Sequence, residues 1–239
     1  MNTIQIEKGS ALMIAHRGVS GLEAENTHTA FVAAGSRSYF GIETDVHVTA
    51  DGKYVCIHDN STARVSKHRM SVEKSTYDKL RELQLLDPHG HNSRPDMRIP
   101  SLKEYIQICS FYEKTAVLEL KNRIPTEHIH KIVHKIDKLH YLEHTIFISF
   151  YRENLLDIRE LLPDQRLQFL TQKFNESDLS LLLEKKMDLD IDYKQLTQEQ
   201  VTQLHDNGLK VNCWTVDKPD QAKALIDWGV DYITSNILE

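Results

Sequence analysis

The chain has 239 residues, of which 40% are hydrophobic and 27% charged, and its formal net charge is −6. This length suits one barrel or one doubly wound α/β domain, and the acidic balance argues against nucleic acid as a partner because phosphate backbones require basic surfaces. Cys56, Cys109 and Cys213 lie far apart and lack metal-site spacing, a pattern typical of reduced core thiols in a cytosolic protein.

The sequence contains no feature that predicts a membrane protein. No segment approaches the roughly 18 uninterrupted apolar residues of a membrane-spanning helix. The apolar run at residues 11–15, which follows Glu7 and Lys8, is too short for the core of a signal peptide. We therefore expect a cytoplasmic protein with no stable membrane insertion, and the sequence leaves its oligomeric state open.

Short β-rich segments alternate with helical segments along the chain, which favours an α/β fold with a parallel sheet. Strands are predicted at residues 12–15, 42–48, 54–57, 116–120, 145–149, 167–171, 189–192, 210–216 and 231–234. Only residues 49–53, with the turn pair Asp51-Gly52, separate the second strand from the third, so the third must return antiparallel as a hairpin arm. Eight parallel strands remain, which predicts a (β/α)8 TIM barrel.

Helix ends are marked by residues that favour capping. Asn26 or Thr27 is expected to cap the first helix. Asp217 is placed to cap the last helix, which has Pro219 in its first turn and Gly229 after its end.

Residues 60–98 interrupt the alternation with polar sequence and one short helical stretch near residues 76–86. We interpret this segment as an insertion after the second barrel strand, an excursion over the barrel mouth rather than a second domain. The domain prediction is a single barrel covering residues 1–239.

The first predicted strand ends in His16-Arg17-Gly18. Active sites of barrels lie at the C-terminal ends of the strands, where a histidine beside an arginine offers proton transfer next to phosphate recognition. In isolation such a sequence is more often a polar loop, so its meaning depends on the neighbouring strands.

Acidic residues follow on the next two parallel strands. Glu43 and Asp45 share a face because residues i and i+2 of a strand point to the same side, and Glu119 and Lys121 repeat that spacing. Three converging carboxylates would suit a hard divalent cation, Mg²⁺ or Ca²⁺. The alternative is that they form salt bridges with Lys or Arg. Lys121 is placed as a counter-charge for phosphate.

The hairpin arm ends in His58-Asp59, and its return direction brings His58 to the mouth, opposite His16. A His-Asp pair in a turn is usually structural, but a second histidine and a cation opposite it favour acid–base chemistry. His130 and His134 have helical i, i+4 spacing that could bind Zn²⁺, but they lack a further ligand at metal spacing. We interpret them as surface residues.

Together these segments resemble the glycerophosphodiester phosphodiesterase family. The resemblance is carried, in chain order, by His16-Arg17-Gly18, Glu25-Asn26-Thr27, Glu43-x-Asp45, Asp51-Gly52, His58-Asp59, Glu119-Leu120-Lys121 and Trp214-Thr215-Val216. Each element is weak alone, but their order and spacing from about residue 12 to residue 234 make the resemblance specific. The chain differs from the family pattern at Ala24, after His58-Asp59, and at Thr234-Ser235-Asn236.

The resemblance implies a role for each candidate residue. It implies an acid–base pair of His16 and His58, a metal site of Glu43, Asp45 and Glu119, and substrate or phosphate binding by Arg17, Lys121 and Trp214.

The expected reaction is metal-dependent hydrolysis of a small-molecule glycerophosphodiester to sn-glycerol 3-phosphate and an alcohol such as choline or ethanolamine. Such cleavage requires charge neutralisation, an activated nucleophile and a proton for the leaving alkoxide. Which histidine is the base stays open, as does whether a substrate hydroxyl or water attacks first. The alternatives are headgroup cleavage of the phospholipase or sphingomyelinase D kind and a non-catalytic barrel that binds phosphorylated ligands.

Overall fold

The computed structural model describes residues 2–91 and 94–239, so residues 92 and 93 of the predicted excursion lie outside the described residues. The strands within these ranges are β1 (Leu12–Ala15), β2 (Gly41–Val48), β3 (Tyr54–Cys56), β4 (Thr115–Leu120), β5 (Thr145–Ser149), β6 (Leu167–Thr171), β7 (Asp188–Asp192), β8 (Val211–Trp214) and β9 (Tyr232–Ser235). The α-helices are α1 (His28–Gly35), α2 (Tyr77–Glu82), α3 (Leu102–Phe111), α4 (Thr126–Asp137), α5 (Arg152–Leu161), α6 (Glu176–Lys185), α7 (Gln198–Asp206) and α8 (Pro219–Asp227).

Eight of these strands form a closed parallel ring. From β2 the ring runs through β4, β5, β6, β7, β8 and β9 to β1, which pairs again with β2. β3 pairs antiparallel with the end of β2, outside the ring. The predicted TIM barrel with an extra hairpin arm is therefore confirmed, and the C-terminal ends of the ring strands meet at one mouth.

The core follows from the spacing of apolar residues. The strands of the ring are buried on both faces, as expected for parallel strands covered by helices. α4 shows how a helix covers them, because Ile129, Ile132, Val133 and Ile136 are buried at helical spacing. Among the described residues, no helix has both the length and the apolar content needed to cross a bilayer.

The observed caps correct one prediction. Thr27 caps α1, and its side chain accepts a hydrogen bond from the amide of Ala30. The prediction that Asp217 caps α8 was wrong, because Pro219 occupies the first helical position and makes Lys218 the N-cap. Asp217 is therefore one residue too early to cap this helix, and its carboxylate accepts hydrogen bonds from Asn236, which follows β9.

The segment predicted as an excursion has a small core of its own. Its single α-helix among the described residues is α2, inside the predicted helical stretch. Buried apolar residues from this segment and from β3 and its flanks form a cluster separate from the main core. Its members are Val55, Ile57, Val72, Leu80, Leu83, Leu85, Met97 and Ile99.

Candidate active site

The three predicted acidic residues lie together at the barrel mouth. Glu43 and Asp45 project from β2, and Glu119 projects from β4, where it is in register with Asp45. One carboxylate oxygen of each residue lies within 4.8 Å of the others. The three residues are only 3%, 1% and 7% exposed, respectively. The parallel pairing of β2 and β4 thus creates a buried acidic cluster.

Two basic side chains partly neutralise this acidic cluster. Lys121 Nζ lies 2.8 Å from Glu119 Oε1 and 3.4 Å from Asp45 Oδ1, and Arg17 Nε lies 3.5 Å from Asp45 Oδ2. Burial and the charge of Asp45 raise the pKa of Glu119 to about 8 and that of Glu43 well above its usual range. Burial also opposes ionisation of Asp45, but Lys121 and Arg17 hold its pKa below the usual value. Burial and mutual repulsion therefore disfavour the ionised forms of Glu43 and Glu119, despite the two cationic side chains.

The residues of the acidic cluster fit a divalent cation. Asp45 Oδ1 is buried and has no hydrogen-bond partner among the described residues. Oxygen donors from three carboxylates match the preference of Mg²⁺ and Ca²⁺, and a cation would compensate the desolvation and mutual repulsion of these groups. The predicted salt bridges and a cation site are therefore compatible in one cluster.

A tight turn after β1 fixes Arg17 against this cluster. Arg17 has φ 53° and Gly18 has φ 75°, so both lie in the left-handed region. The turn lets the amide of Arg17 donate a 2.7 Å hydrogen bond to Glu43 Oε2. A Cβ at Gly18 would lie 2.6 Å from the carbonyl carbon of Ala30. Glycine is therefore required at this position by both conformation and space.

We predict that Gly18→Ala lowers the free energy of unfolding by roughly 2–4 kcal/mol, because it adds overpacking to backbone strain. Urea denaturation measures this change. The matched control is Gly208→Ala, which also has positive φ but has no atom within 4 Å of the added Cβ, and should lose only about 1 kcal/mol. Equal losses in the two variants would show that the contact with Ala30 has no effect.

A chain of hydrogen bonds orients His16. Its Nδ1 lies 2.7 Å from Asn236 Oδ1, and Asn236 Nδ2 donates to Asp217 Oδ2 at 2.6 Å. Because a carboxylate only accepts, the Asn236 amide group must face Asp217, which leaves its oxygen to accept from His16 Nδ1–H. Burial and the charge of Arg17 lower the pKa of His16 to about 4. His16 is therefore neutral near pH 7, with Nε2 free to accept a proton.

His58 is held by a different set of contacts. Its Nδ1 lies 2.7 Å from Asp59 Oδ1, and Arg64 Nε donates to the other oxygen of Asp59 at 2.8 Å. The backbone carbonyl of His58 lies 3.2 Å from Nε2 of the buried His47. The carboxylate of Asp59 places the hydrogen of His58 on Nδ1, so Nε2 is again the nitrogen left for chemistry.

Glu25 connects the loops that carry the two histidines. Arg17 Nη1 donates to its Oε1 at 3.0 Å, and Arg64 donates to both of its oxygens. Since Arg64 also binds Asp59, the excursion supplies one link between the end of β1 and the end of the hairpin arm.

One cavity of about 220 Å³ brings the candidate residues together. Its lining residues are His16, Arg17, Glu43, His58, Glu119, Ile148, Phe150, Leu170, Gln172, Asp190, Trp214 and Thr234. Lys121 lines an adjoining cavity with His58 and Glu119. A larger cavity of about 690 Å³ lies on the outer surface near α3 and α4, but carboxylates are absent from its described lining. The chemistry therefore identifies the smaller cavity as the candidate active site.

Several residues at this site were missed by the sequence analysis. Asn26 was considered as a helix cap and as part of the family resemblance but not as a contact of the acidic cluster, yet its side chain donates to Asp45 Oδ2 at 2.8 Å. Asp190 could have been found from the sequence, because it is an acidic residue between two apolar residues of a predicted strand. His47 lies near the end of β2, and Arg64 and the Asp217–Asn236 pair lie in segments that meet the other site residues only in the folded chain.

Comparisons with known proteins give matches over nearly the whole chain. A sequence model described as the glycerophosphoryl diester phosphodiesterase family matches residues 16–238. The chain is 29% identical over 228 residues to a glycerophosphodiester phosphodiesterase of Caldanaerobacter subterraneus subsp. tengcongensis, which covers 94% of this chain and 93% of the relative.

Solved structures with sequence identities close to that of this relative share the fold. An Oleispira antarctica phosphodiesterase in complex with the product sn-glycerol-3-phosphate is 25% identical, with a TM-score of 0.87 and coverage of 95% of this chain and 93% of that chain. A glycerophosphodiester phosphodiesterase of Parabacteroides distasonis is 27% identical, with a TM-score of 0.80 and coverage of 99% and 94%.

Proposed function

The chain belongs to the glycerophosphoryl diester phosphodiesterase family, and we propose that it hydrolyses glycerophosphodiesters to sn-glycerol 3-phosphate and an alcohol such as choline or ethanolamine. The observation that carries this proposal is the single cavity whose walls include both imidazoles and two of the three clustered acids. The product held by the Oleispira antarctica phosphodiesterase supports the same substrate class. This activity would belong to lipid and glycerol metabolism.

Glu43, Asp45 and Glu119 would hold a divalent cation, Mg²⁺ or Ca²⁺. The clustering of their buried carboxylates and the absence of a hydrogen-bond partner for Asp45 Oδ1 among the described residues favour such a cation. When bound, such a cation neutralises charge on the phosphate oxygens and lowers the pKa of a coordinated hydroxyl or water. Arg17 and Lys121, which already lie at the acidic cluster, would supply further positive charge to the phosphate. Trp214 lines the cavity and would contact the substrate.

His16 and His58 would carry the proton transfers. One imidazole accepts the proton of the attacking hydroxyl or water at Nε2 while the new phosphorus–oxygen bond forms. The other, which must carry a proton on both ring nitrogens when the step begins, donates its Nε2 proton to the departing alkoxide while the old phosphorus–oxygen bond breaks. The Nδ1 contacts of both rings, to Asn236 and to Asp59, support this use of Nε2.

We further propose that the whole chain acts as one phosphodiesterase domain, with residues 60–98 forming part of the wall around the site. The contacts of Arg64 with Glu25 and Asp59 support this role.

A coupled assay for sn-glycerol 3-phosphate release tests the proposed function. Deacylated diesters carrying choline, ethanolamine, serine or inositol are assayed with Mg²⁺, with Ca²⁺ and without added cation, beside vesicles of intact phospholipid and sphingomyelin. We expect cation-dependent release from the deacylated diesters. Choline release from the vesicles alone, measured with choline oxidase, would favour the phospholipase or sphingomyelinase D alternative, and absence of turnover with every substrate would favour a non-catalytic barrel.

We predict that Asn236→Ala lowers kcat by about 10- to 100-fold with little change in KM, because His16 loses the acceptor that fixes its tautomer and ring orientation. The double variant Asn236→Asp/Asp217→Asn exchanges the two groups, so it keeps an acceptor for His16 and a donor–acceptor contact between the two positions, and it should restore part of this loss. The control is Asn207→Ala, at the end of α7, which should have wild-type kinetics. Equal kcat losses in Asn236→Ala and in the exchange variant would contradict a positioning role.

A further inference from the structure

Asp190 is a buried carboxylic acid on the wall of the active-site cavity that the proposed mechanism does not use. It lies in the middle of β7, in register with Leu170 of β6 and Asn212 of β8. The residue is 1% exposed, and its Oδ1 has no hydrogen-bond partner among the described residues. A buried polar group without a partner is unfavourable for the folded state, so a ligand is a reasonable source of the missing contact.

The surrounding polar residues of the barrel interior are partly paired with each other. Asn212 Nδ2 donates to Gln168 Oε1 at 3.0 Å, and Thr234 Oγ1 donates to Asn212 Oδ1 at 3.2 Å. Asp190 takes no part in these hydrogen bonds, although its strand lies between those of Gln168 and Asn212. The hydrogen bonds among Gln168, Asn212 and Thr234 therefore leave Asp190 Oδ1 without a partner among the described residues.

The same wall of the cavity offers a donor that also lacks a partner. Trp214 follows Asn212 on β8, and its Nε1 is buried with no hydrogen-bond partner among the described residues. Its indole ring meets the ring of Phe150 edge to face, with centroids 5.8 Å apart. The wall thus combines one acceptor, one donor and apolar surface from Ile148 and Leu170.

A hydroxyl group both donates and accepts hydrogen bonds, and a short polyol adds apolar C–H surface beside its hydroxyls. We propose that Asp190 and Trp214 form a subsite that binds a hydroxyl of the glycerol moiety, and that Asp190 thereby determines specificity for glycerol-containing phosphodiesters. This inference rests on the proposed function, since it assigns part of the same cavity to one half of the substrate.

The first test compares two substrates in wild type and in Asp190→Leu. Glycerophosphocholine carries the glycerol hydroxyls, whereas bis(4-nitrophenyl) phosphate is a diester that lacks glycerol. We expect kcat/KM for glycerophosphocholine to fall by about 10- to 100-fold, mainly through KM, as loss of a hydrogen bond to a carboxyl group predicts. For bis(4-nitrophenyl) phosphate we expect a change of less than about twofold, because a ligand without the hydroxyl cannot use the lost contact.

The second test uses product analogues and does not require a glycerophosphodiester to be the substrate. Binding of sn-glycerol 3-phosphate and of n-propyl phosphate, which has the same carbon chain without hydroxyls, is measured by calorimetric titration. Wild type should bind sn-glycerol 3-phosphate more tightly, and Asp190→Leu should abolish that preference. This comparison separates failure of the subsite from failure of the proposed function, which would appear as absent turnover of glycerophosphocholine in wild type.

The rival explanation is a structural bridge between Asp190 and Gln168, whose Nε2 also has no partner among the described residues. Thermal denaturation distinguishes the two explanations. If Asp190 serves a ligand, Asp190→Leu removes a buried unpaired group and should raise the Tm of the free protein. If Asp190 is structural, the Tm should fall and both substrates should lose activity equally.

Two further variants serve as controls. Asp190→Asn keeps the size of the side chain and one acceptor, so it should fold normally and show a smaller change in substrate preference than Asp190→Leu. Asp188→Asn lies on the same strand, where the carboxylate accepts from the amide of Lys210 away from the cavity, and should leave the preference unchanged. Unchanged preference for glycerophosphocholine in Asp190→Leu would overturn the proposal.

Discussion

Replacement of His16 by alanine should lower kcat for glycerophosphocholine by roughly 10²- to 10⁴-fold, the usual contribution of general acid–base catalysis. His58→Ala should cause a loss of similar size. In both variants KM should change little, because the Nε2 atoms act on the transferring protons rather than on the bound phosphate. The double variant should lose far less than the product of the two single losses, since a catalytic pair acts as a unit.

Surface histidines provide the matched control for this prediction. His130 and His134 are exposed on α4. His134→Ala should therefore have wild-type kinetics, and it shows the effect of removing an imidazole outside the active site. Far-ultraviolet circular dichroism and the Tm of each variant verify folding. Wild-type turnover in His16→Ala would exclude His16 from the acid–base pair.

Removal of divalent cations should have an equally large effect. Treatment with EDTA should reduce turnover by at least about 10³-fold, because a cation at a phosphoryl group contributes several kcal/mol of transition-state stabilisation. Addition of Mg²⁺ or Ca²⁺ in excess of the chelator should restore activity. Turnover that is indifferent to EDTA would eliminate the proposed cation dependence.

Variants of the acidic cluster identify where the cation acts. Glu119→Gln keeps the size of the side chain but removes one ligand charge, so it should need a higher cation concentration for half-maximal activity, by at least about 10-fold. Glu127→Gln on the exposed face of α4 is the control and should match wild type. An identical cation requirement in Glu119→Gln and wild type would place the cation elsewhere.

The barrel could be predicted from local sequence because each strand is a short buried run with a clear start and end. The turn pair Asp51-Gly52 was the decisive signal, since it left too little chain for a crossover and identified β3 as the antiparallel arm. Five-residue connections cannot carry a helix between parallel strands. The structure confirms that eight-strand count.

The acidic cluster could be anticipated from strand geometry alone. The spacing of Glu43 and Asp45 put both carboxylates on one face, and the order of strands made the β4 residues their neighbours. Geometry did not assign the acid–base roles of the histidines, which came from the family resemblance and stay proposals.

The contacts that orient the histidines were beyond local sequence reasoning. The partner of His16 lies 220 positions away in the chain, and Asp217 had a competing local interpretation as a helix cap. Pro219 excludes the helix-cap interpretation of Asp217, because it occupies the first helical position and makes Lys218 the N-cap. The position of Arg64 likewise depends on how the excursion packs against β3, which no periodic pattern in that polar segment reveals.

Calorimetric titration of the EDTA-treated protein with Mg²⁺ or Ca²⁺ tests most directly whether Glu43, Asp45 and Glu119 form a cation site. We expect one cation to bind per chain in wild type and binding to be lost or strongly weakened in Glu43→Gln/Glu119→Gln. Absence of binding in wild type, or unchanged binding in that double variant, would contradict the site on which the proposed mechanism depends.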